Sequence, residues 1–205
     1  MKDPQVENIS ILKISGTEIT ETADKVAVEE PLEIQLAYST PTGRMLKNIA
    51  VTMRTPGNDE ELAAGFLFTE GVVKDKEAIL EIKRPHTDDN RVLVTLKENV
   101  QPVLANTARN FYSTSSCGVC GKASIEAIRI VSPYIHAKDT ISLQASLLYG
   151  LQDAVKAQQQ VFEETGGIHA SALFDADGKF MMLREDVGRH NALDKVIGAA
   201  LLNDQ

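Results

Sequence analysis

Tryptophan is absent from this chain, and aromatic residues make up only 5% of its 205 positions. A platform of aromatic rings for stacking nucleobases is therefore not expected. An excess of basic residues is also missing. Lys and Arg number 21 against 29 Asp and Glu, a net charge of -8. Phosphate backbones are bound by basic faces, so nucleic acid is not an expected partner. An anionic small ligand would need a local cluster of donors on an acidic surface. No stretch approaches the roughly 18 apolar residues of a membrane span. The start, MKDPQVENIS, has no apolar run behind its lysine, unlike a secretory leader. No membrane association and a cytoplasmic location are expected. Cysteine is scarce: two residues, at 117 and 120. A disulfide framework needs more cysteines and an oxidising compartment, so in a cytosolic chain this pair points to chemistry or to metal.

What is present is ordinary globular patterning, 43% hydrophobic and 24% charged. Residues 9–14, 24–29, 32–37, 48–54 and 91–97 alternate apolar and polar side chains and are expected as strands. Thr55-Pro56-Gly57 ends the fourth of these, because proline favours an extended residue before it and glycine suits a turn. Asn58 or Asp59 is placed to cap a helix with Glu60 and Glu61 in its first turn and Leu62, Ala63, Phe66 and Leu67 as its apolar face. Gly71 lies where that helix would break. A second helix is expected over 123–130 and one long helix over 142–164, stopped by Gly166-Gly167. Residues 168–174 and 179–183 read as a hairpin around the Asp175-Ala-Asp-Gly178 turn, and a last helix spans about 190–202. The fold class is α/β bordering on α+β, a sheet with helices on both faces. The strand-rich part covers 1–110 and the part carrying the cysteines covers 111–205.

Cys117-Gly-Val-Cys120-Gly-Lys122 follows Ser113-Thr-Ser-Ser116 and precedes a helical pattern. A thiol just ahead of a helix feels the positive end of its dipole, which favours the reactive thiolate. Small flanking residues give a loop that could present that thiol to two partners in turn. Four readings stand: structural zinc, a dithiol redox pair, two core cysteines, or a sulfur relay. Zinc lacks a second ligand pair, and His136, His169 and His190 show no local ligand spacing. A thioredoxin-type motif belongs early in a βαβ unit, and a packed pair sits poorly in so polar a context. The zinc deaminase signature also fails, since Ser171 stands where His169-x-Glu would need its catalytic carboxylate. The relay fits best, though spacing alone does not select it.

A second cluster, Arg184-Glu185-Asp186-Val-Gly188-Arg189-His190-Asn191, lies between a strand and a helix. Arg189 offers a fork for phosphate or carboxylate, and His190 and Asn191 offer donors at a helix N-terminus. The competing reading is a salt-bridged helix cap with Arg189 neutralising Glu185 or Asp186. Arg54 is either a strand-end ion pair or a ligand arm, His169 is expected to be structural, and Lys195 is expected to face solvent.

Three segments carry a resemblance. MRTPGNDEELAAGFLFTEGVV (53–73), FYSTSSCGVCGKASIEAI (111–128) and TGGIHASALFDADGKFMMLREDVGRHNALDKVIG (165–198) are similar to the formate dehydrogenase accessory sulfurtransferase family, also called FdhD-like. The resemblance implies a cytidine-deaminase-like fold without zinc and a homodimer. It implies that Cys117 carries a persulfide taken from a cysteine desulfurase, with Cys120 assisting. The sulfur would pass to the bis-molybdopterin guanine dinucleotide cofactor of molybdenum or tungsten, for use by formate dehydrogenase. Arg189, His190 and Asn191 of the second cluster, with Lys122 beside the cysteines, are the residues whose chemistry suits holding that cofactor. Family chains continue beyond the equivalent of Gln205 to a further glycine- and arginine-containing segment, so part of the cofactor site is expected elsewhere. The alternatives are a cofactor-binding chaperone without sulfur transfer and a Cys-x-x-Cys dithiol oxidoreductase.

Overall fold

The computed structural model describes residues 3–85, 88–104, 111–112 and 142–205. Cys117, Cys120, Lys122 and the helix expected over 123–130 lie outside the described residues. Two long strands open the chain, β1 (Val6–Ser15) and β2 (Glu18–Ala27), paired as an antiparallel hairpin from Val6↔Ala27 to Ser15↔Glu18. Strands β3 (Glu30–Thr40), β4 (Gly43–Arg54), β5 (Ile79–Lys83), β6 (Arg91–Leu96) and β7 (Phe111–Tyr112) form a mixed five-stranded sheet in the order β5-β6-β3-β4-β7. β3 pairs antiparallel with β4 and parallel with β6, while β7 runs parallel to β4 through Ala50↔Phe111 and Val51↔Tyr112. Helix α1 (Asp59–Thr69) follows β4, and a short 3-10 turn, Lys76–Ala78, leads into β5. The last third holds α2 (Ala145–Lys156), α3 (Gln160–Thr165), the hairpin β8 (His169–Phe174) with β9 (Phe180–Asp186), and α4 (Arg189–Leu202).

The alternation along β3 explains the main core. Leu32, Ile34, Leu36 and Tyr38 share one face by the period of two, and all are buried. They meet Val92, Val94 and Leu96 of β6, Ile49 of β4, and Leu62, Ala63 and Leu67 of α1. Each such side chain contributes roughly 1.5–3 kcal/mol by leaving water. Beyond its core face, α1 also buries Ala64 and Gly65, because α4 packs across it.

That second contact rests on two glycines. A Cβ on Gly65 would lie 1.9 Å from the Asp194 carbonyl oxygen, and one on Gly198 would lie 1.8 Å from that of Glu61. Backbone therefore meets backbone, and α1 and α4 pass in opposite senses. No side chain fits at the crossing.

The long helix expected over 142–164 is two helices, with a break at Ala157–Gln159. The reason is tertiary: the Glu185 carboxylate on β9 accepts the N–H groups of Val161 and Phe162, both at 2.9 Å. It thereby caps the start of α3 from outside the helix. Gly166, at φ 65, closes α3 in a left-handed conformation where the sequence placed the stop. Asp175 organises the expected β8–β9 turn by accepting the N–H groups of Asp177 and Lys179. No helix among the described residues is long and apolar enough to cross a membrane.

Gly198→Ala is expected to destabilise the chain by more than about 3 kcal/mol, the upper end of ordinary overpacking costs. Alanine at Gly150, an exposed position within α2 where a Cβ meets nothing within 4 Å, serves as the control. Urea denaturation of the two variants checks the contrast.

Candidate functional site

Two of the quoted segments meet in space. β4 ends at Arg54, and the chain turns through Thr55, Pro56, Gly57 and Asn58 into α1. β9 ends at Asp186, and Gly188 leads into α4. The join is a network of buried polar groups with Asp186 at its centre.

Asp186 is wholly buried, and so is Lys195. Their Nζ–Oδ2 distance is 2.7 Å. The Lys195 ammonium donates also to the carbonyls of Thr55 at 2.8 Å and Glu185 at 3.3 Å, so its three protons have three acceptors. Asp186 Oδ2 accepts the Thr55 N–H at 3.2 Å, and Oδ1 accepts from Gly188 N–H at 2.8 Å and Asn191 Nδ2 at 3.1 Å. The Thr55 hydroxyl accepts the Val187 N–H, and Asn191 Nδ2 donates to the Met53 carbonyl at 2.7 Å. Thr52 donates to Asn191 Oδ1.

This arrangement corrects the expectation that Lys195 faces solvent. The residue lies on the stripe of Ala192, Val196 and Ala199, all buried. Ala192 and Ala199, three residues before it and four after, are the signal that could have placed it inward. The network also decides the competing readings of the second cluster. Glu185 caps α3 and Asp186 holds Lys195, so neither carboxylate is neutralised by Arg189. Arg189 and His190, the first two residues of α4, are exposed. Asn191 is committed to Met53, Thr52 and Asp186, and holds the helix start in place. His169 stands exposed at the head of β8.

Arg54 is a strand-end ion pair. It is 1% exposed, and it grips the fully buried Asp59 through Nε–Oδ1 at 2.9 Å and Nη2–Oδ2 at 3.1 Å. Its remaining donors reach Asn90 Oδ1 and the carbonyls of Asp89 and Glu30. Asp59 is thus taken by Arg54, and Asn58, the N-cap residue at φ 56, makes no side-chain cap bond. On the same side Arg184 of β9 binds Glu61 of α1 through Nε at 2.5 Å and Nη2 at 2.8 Å. That hydrogen bond raises the arginine's already high pKa.

One further acid was not read from the sequence. Asp194 of α4 is half-buried and accepts the Thr69 hydroxyl at 3.0 Å at the C-terminus of α1. Burial pushes its carboxyl from 3.8 up to about 7; Glu70 adds to the rise, and the Thr69 hydrogen bond opposes it. Among the described residues no group of three or more His, Cys, Asp or Glu side chains could hold a metal ion.

Lys195→Met is expected to cost roughly 3–5 kcal/mol, because it leaves Asp186 charged and buried without its cation. Thermal and urea unfolding check this. For Asp194 the folded pKa lies above the unfolded value. Its contribution is therefore most favourable below about pH 4, and is lost as pH rises through about 7. Asp194→Asn is expected to raise stability over wild type by an amount that grows from pH 4 to 7 and then levels off. Melting curves across that range measure it.

Comparison with known proteins places this arrangement among relatives. A model of the FdhD/NarQ family matches residues 27–205. A protein from Mycolicibacterium paratuberculosis named sulfur carrier protein FdhD is 46% identical over 185 residues, covering 87% of this chain and 65% of its own length. A protein of the same name from Saccharolobus solfataricus is 34% identical over 201 residues, covering 98% of this chain and 72% of its own. A crystal structure assigned to a formate dehydrogenase accessory protein from Desulfotalea psychrophila superposes with a TM-score of 0.71 at 26% identity, covering 98% of this chain and 71% of that one.

Proposed function

We propose a function from a plain premise: the chain belongs to the FdhD/NarQ family. It acts as a sulfur carrier in the maturation of formate dehydrogenase. The observation that carries this reading is the match, along nearly the whole chain, to relatives named as sulfur carriers. The chain spans 65% of the length of the Mycolicibacterium relative, so the activity, substrate and partners of the whole protein all belong to the proposal.

In this reading the donor is a cysteine desulfurase. The Cys117 thiolate attacks the outer sulfur of the donor's persulfide. The donor's S–S bond breaks, a new one forms on Cys117, and the donor leaves as a thiolate, with no net redox change. Cys120 assists the onward transfer. The acceptor is the bis-molybdopterin guanine dinucleotide cofactor of molybdenum or tungsten, which is cargo here. The protein works in the cytoplasm as a homodimer, and its fold is a deaminase-like α/β arrangement.

Topology supports the pairing of the cysteines with the second cluster. β7 is parallel to β4, and Cys117 follows Tyr112 by five residues. A tether of that length reaches at most about 18 Å. β4 runs on from Val51 to Thr52 and Met53, the residues that bind Asn191 at the start of α4. Arg189 and His190, exposed there, are the side chains offered to the anionic cofactor. Lys122 would add a cation, while Asn191 serves by holding the helix start.

Incubation with a cysteine desulfurase and cysteine is expected to add sulfane sulfur to Cys117, read by mass spectrometry. Cys117→Ala is expected to abolish loading and the maturation of formate dehydrogenase. Maturation by a protein lacking both cysteines would support the cofactor-binding chaperone instead. A reversible Cys117–Cys120 disulfide with turnover would support the dithiol oxidoreductase.

A further inference from the structure

The β1–β2 hairpin stands apart from the five-stranded sheet as a two-stranded sheet of its own. Its base is anchored. Val6 and Ala27 pack with Val161 and Ile168, Lys25 binds Glu164 of α3 at 2.6 Å, and Gln5 Nε2 donates to the Pro56 carbonyl. Beyond the base every residue of β2 from Glu18 to Val26 is exposed.

The register fixes which side chains share a face. Ile14 pairs with Ile19, and Val6 with Ala27, so Val6, Leu12, Ile14, Ile19 and Ala27 all point to one side. At the base that side is packed on α3. At the tip Leu12, Ile14 and Ile19 are 67%, 69% and 65% exposed. An isolated two-stranded hairpin is marginal in water, and an open edge is a template for another strand. β1 is lightly guarded for such an edge: it contains no proline, and only Glu7 and Lys13 of its ten residues are charged.

The sequence of β1 names the occupant. Laid antiparallel against a second β1 about Ser10, it sets Glu7 opposite Lys13 and Ile9 opposite Ile11, each twice, with Ser10 opposite itself. Such self-complementarity is what a two-fold interface requires. Among the described residues α3 lies against the base of both strands, and it is β1 whose sequence is self-complementary. In this register Ile14 of one copy falls opposite Val6 of the other. The apolar tip is thereby carried towards the partner's base, where Phe162 is 41% exposed.

We infer that β1 is the dimer-forming strand: two copies pair their β1 edges antiparallel about Ser10 and merge two hairpins into one four-stranded sheet. The inference rests on the two-copy reading given above and assigns it a surface. Sedimentation velocity of the full chain over a concentration series tests it. Wild type is expected to dimerise. Lys13→Glu places like charges opposite one another twice, and is expected to weaken the dimer about tenfold. Glu7→Lys combined with Lys13→Glu restores the pairing and is expected to recover most of that loss. Ile14→Asp is expected to give monomer with an unchanged far-UV spectrum. If Ile14→Asp does not fold, the exposed charge pair decides alone. A dimer that survives all these variants contradicts β1 as the interface and leaves the two-copy reading standing. A wild-type monomer contradicts both.

Discussion

The ion pair between Lys195 and Asp186 is the contact on which the rest of this arrangement depends. Burying both charges costs several kcal/mol per ion, and attraction alone offsets that only when the remaining hydrogen-bonding capacity is also met. Here it is met on both sides. The ammonium has Asp186, the Thr55 carbonyl and the Glu185 carbonyl; the carboxylate has Thr55, Gly188, Asn191 and Lys195. A fully satisfied network of this kind specifies one geometry, because any shift leaves a buried polar group unpaired. What it specifies is the seat of the α4 N-terminus against the end of β4.

Neighbouring contacts serve the same end. The Arg54–Asp59 pair ties the start of α1 to the last residue of β4. Arg184 ties β9 to α1 through Glu61. Gly65 and Gly198 let α1 and α4 meet backbone to backbone. Residues more than a hundred positions apart thus form one rigid corner, from which Arg189 and His190 project.

Much of this was legible in the sequence. Alternation gave the strands at 32–37, 48–54 and 91–97 inside β3, β4 and β6, and the Asp175–Gly178 turn gave the β8–β9 hairpin. Periodicity could not find the break between α2 and α3, because it comes from a carboxylate more than twenty residues further on. Strand β5 is five residues long and was not read at all. Lys195 was misread because a lone lysine in a helix is usually solvated, and only its partner shows otherwise. Gly65 carries no local signal of its role, since the need for it comes from the opposite helix. The cysteine loop, the clearest chemical signal in the sequence, lies outside the described residues, and its role rests on family membership and reach.

The central claim is that the corner joining residues 52–55 to 185–191 is rigid and opens only when the whole chain unfolds. Native-state hydrogen exchange at the amides of Thr55, Val187 and Gly188 tests it most directly, since all three donate within the network. The account expects these amides to exchange with the free energy and denaturant dependence of global unfolding, like those of β3 and β6. Exchange through a low-energy local opening, as fast as in the exposed β1–β2 tip, would contradict it.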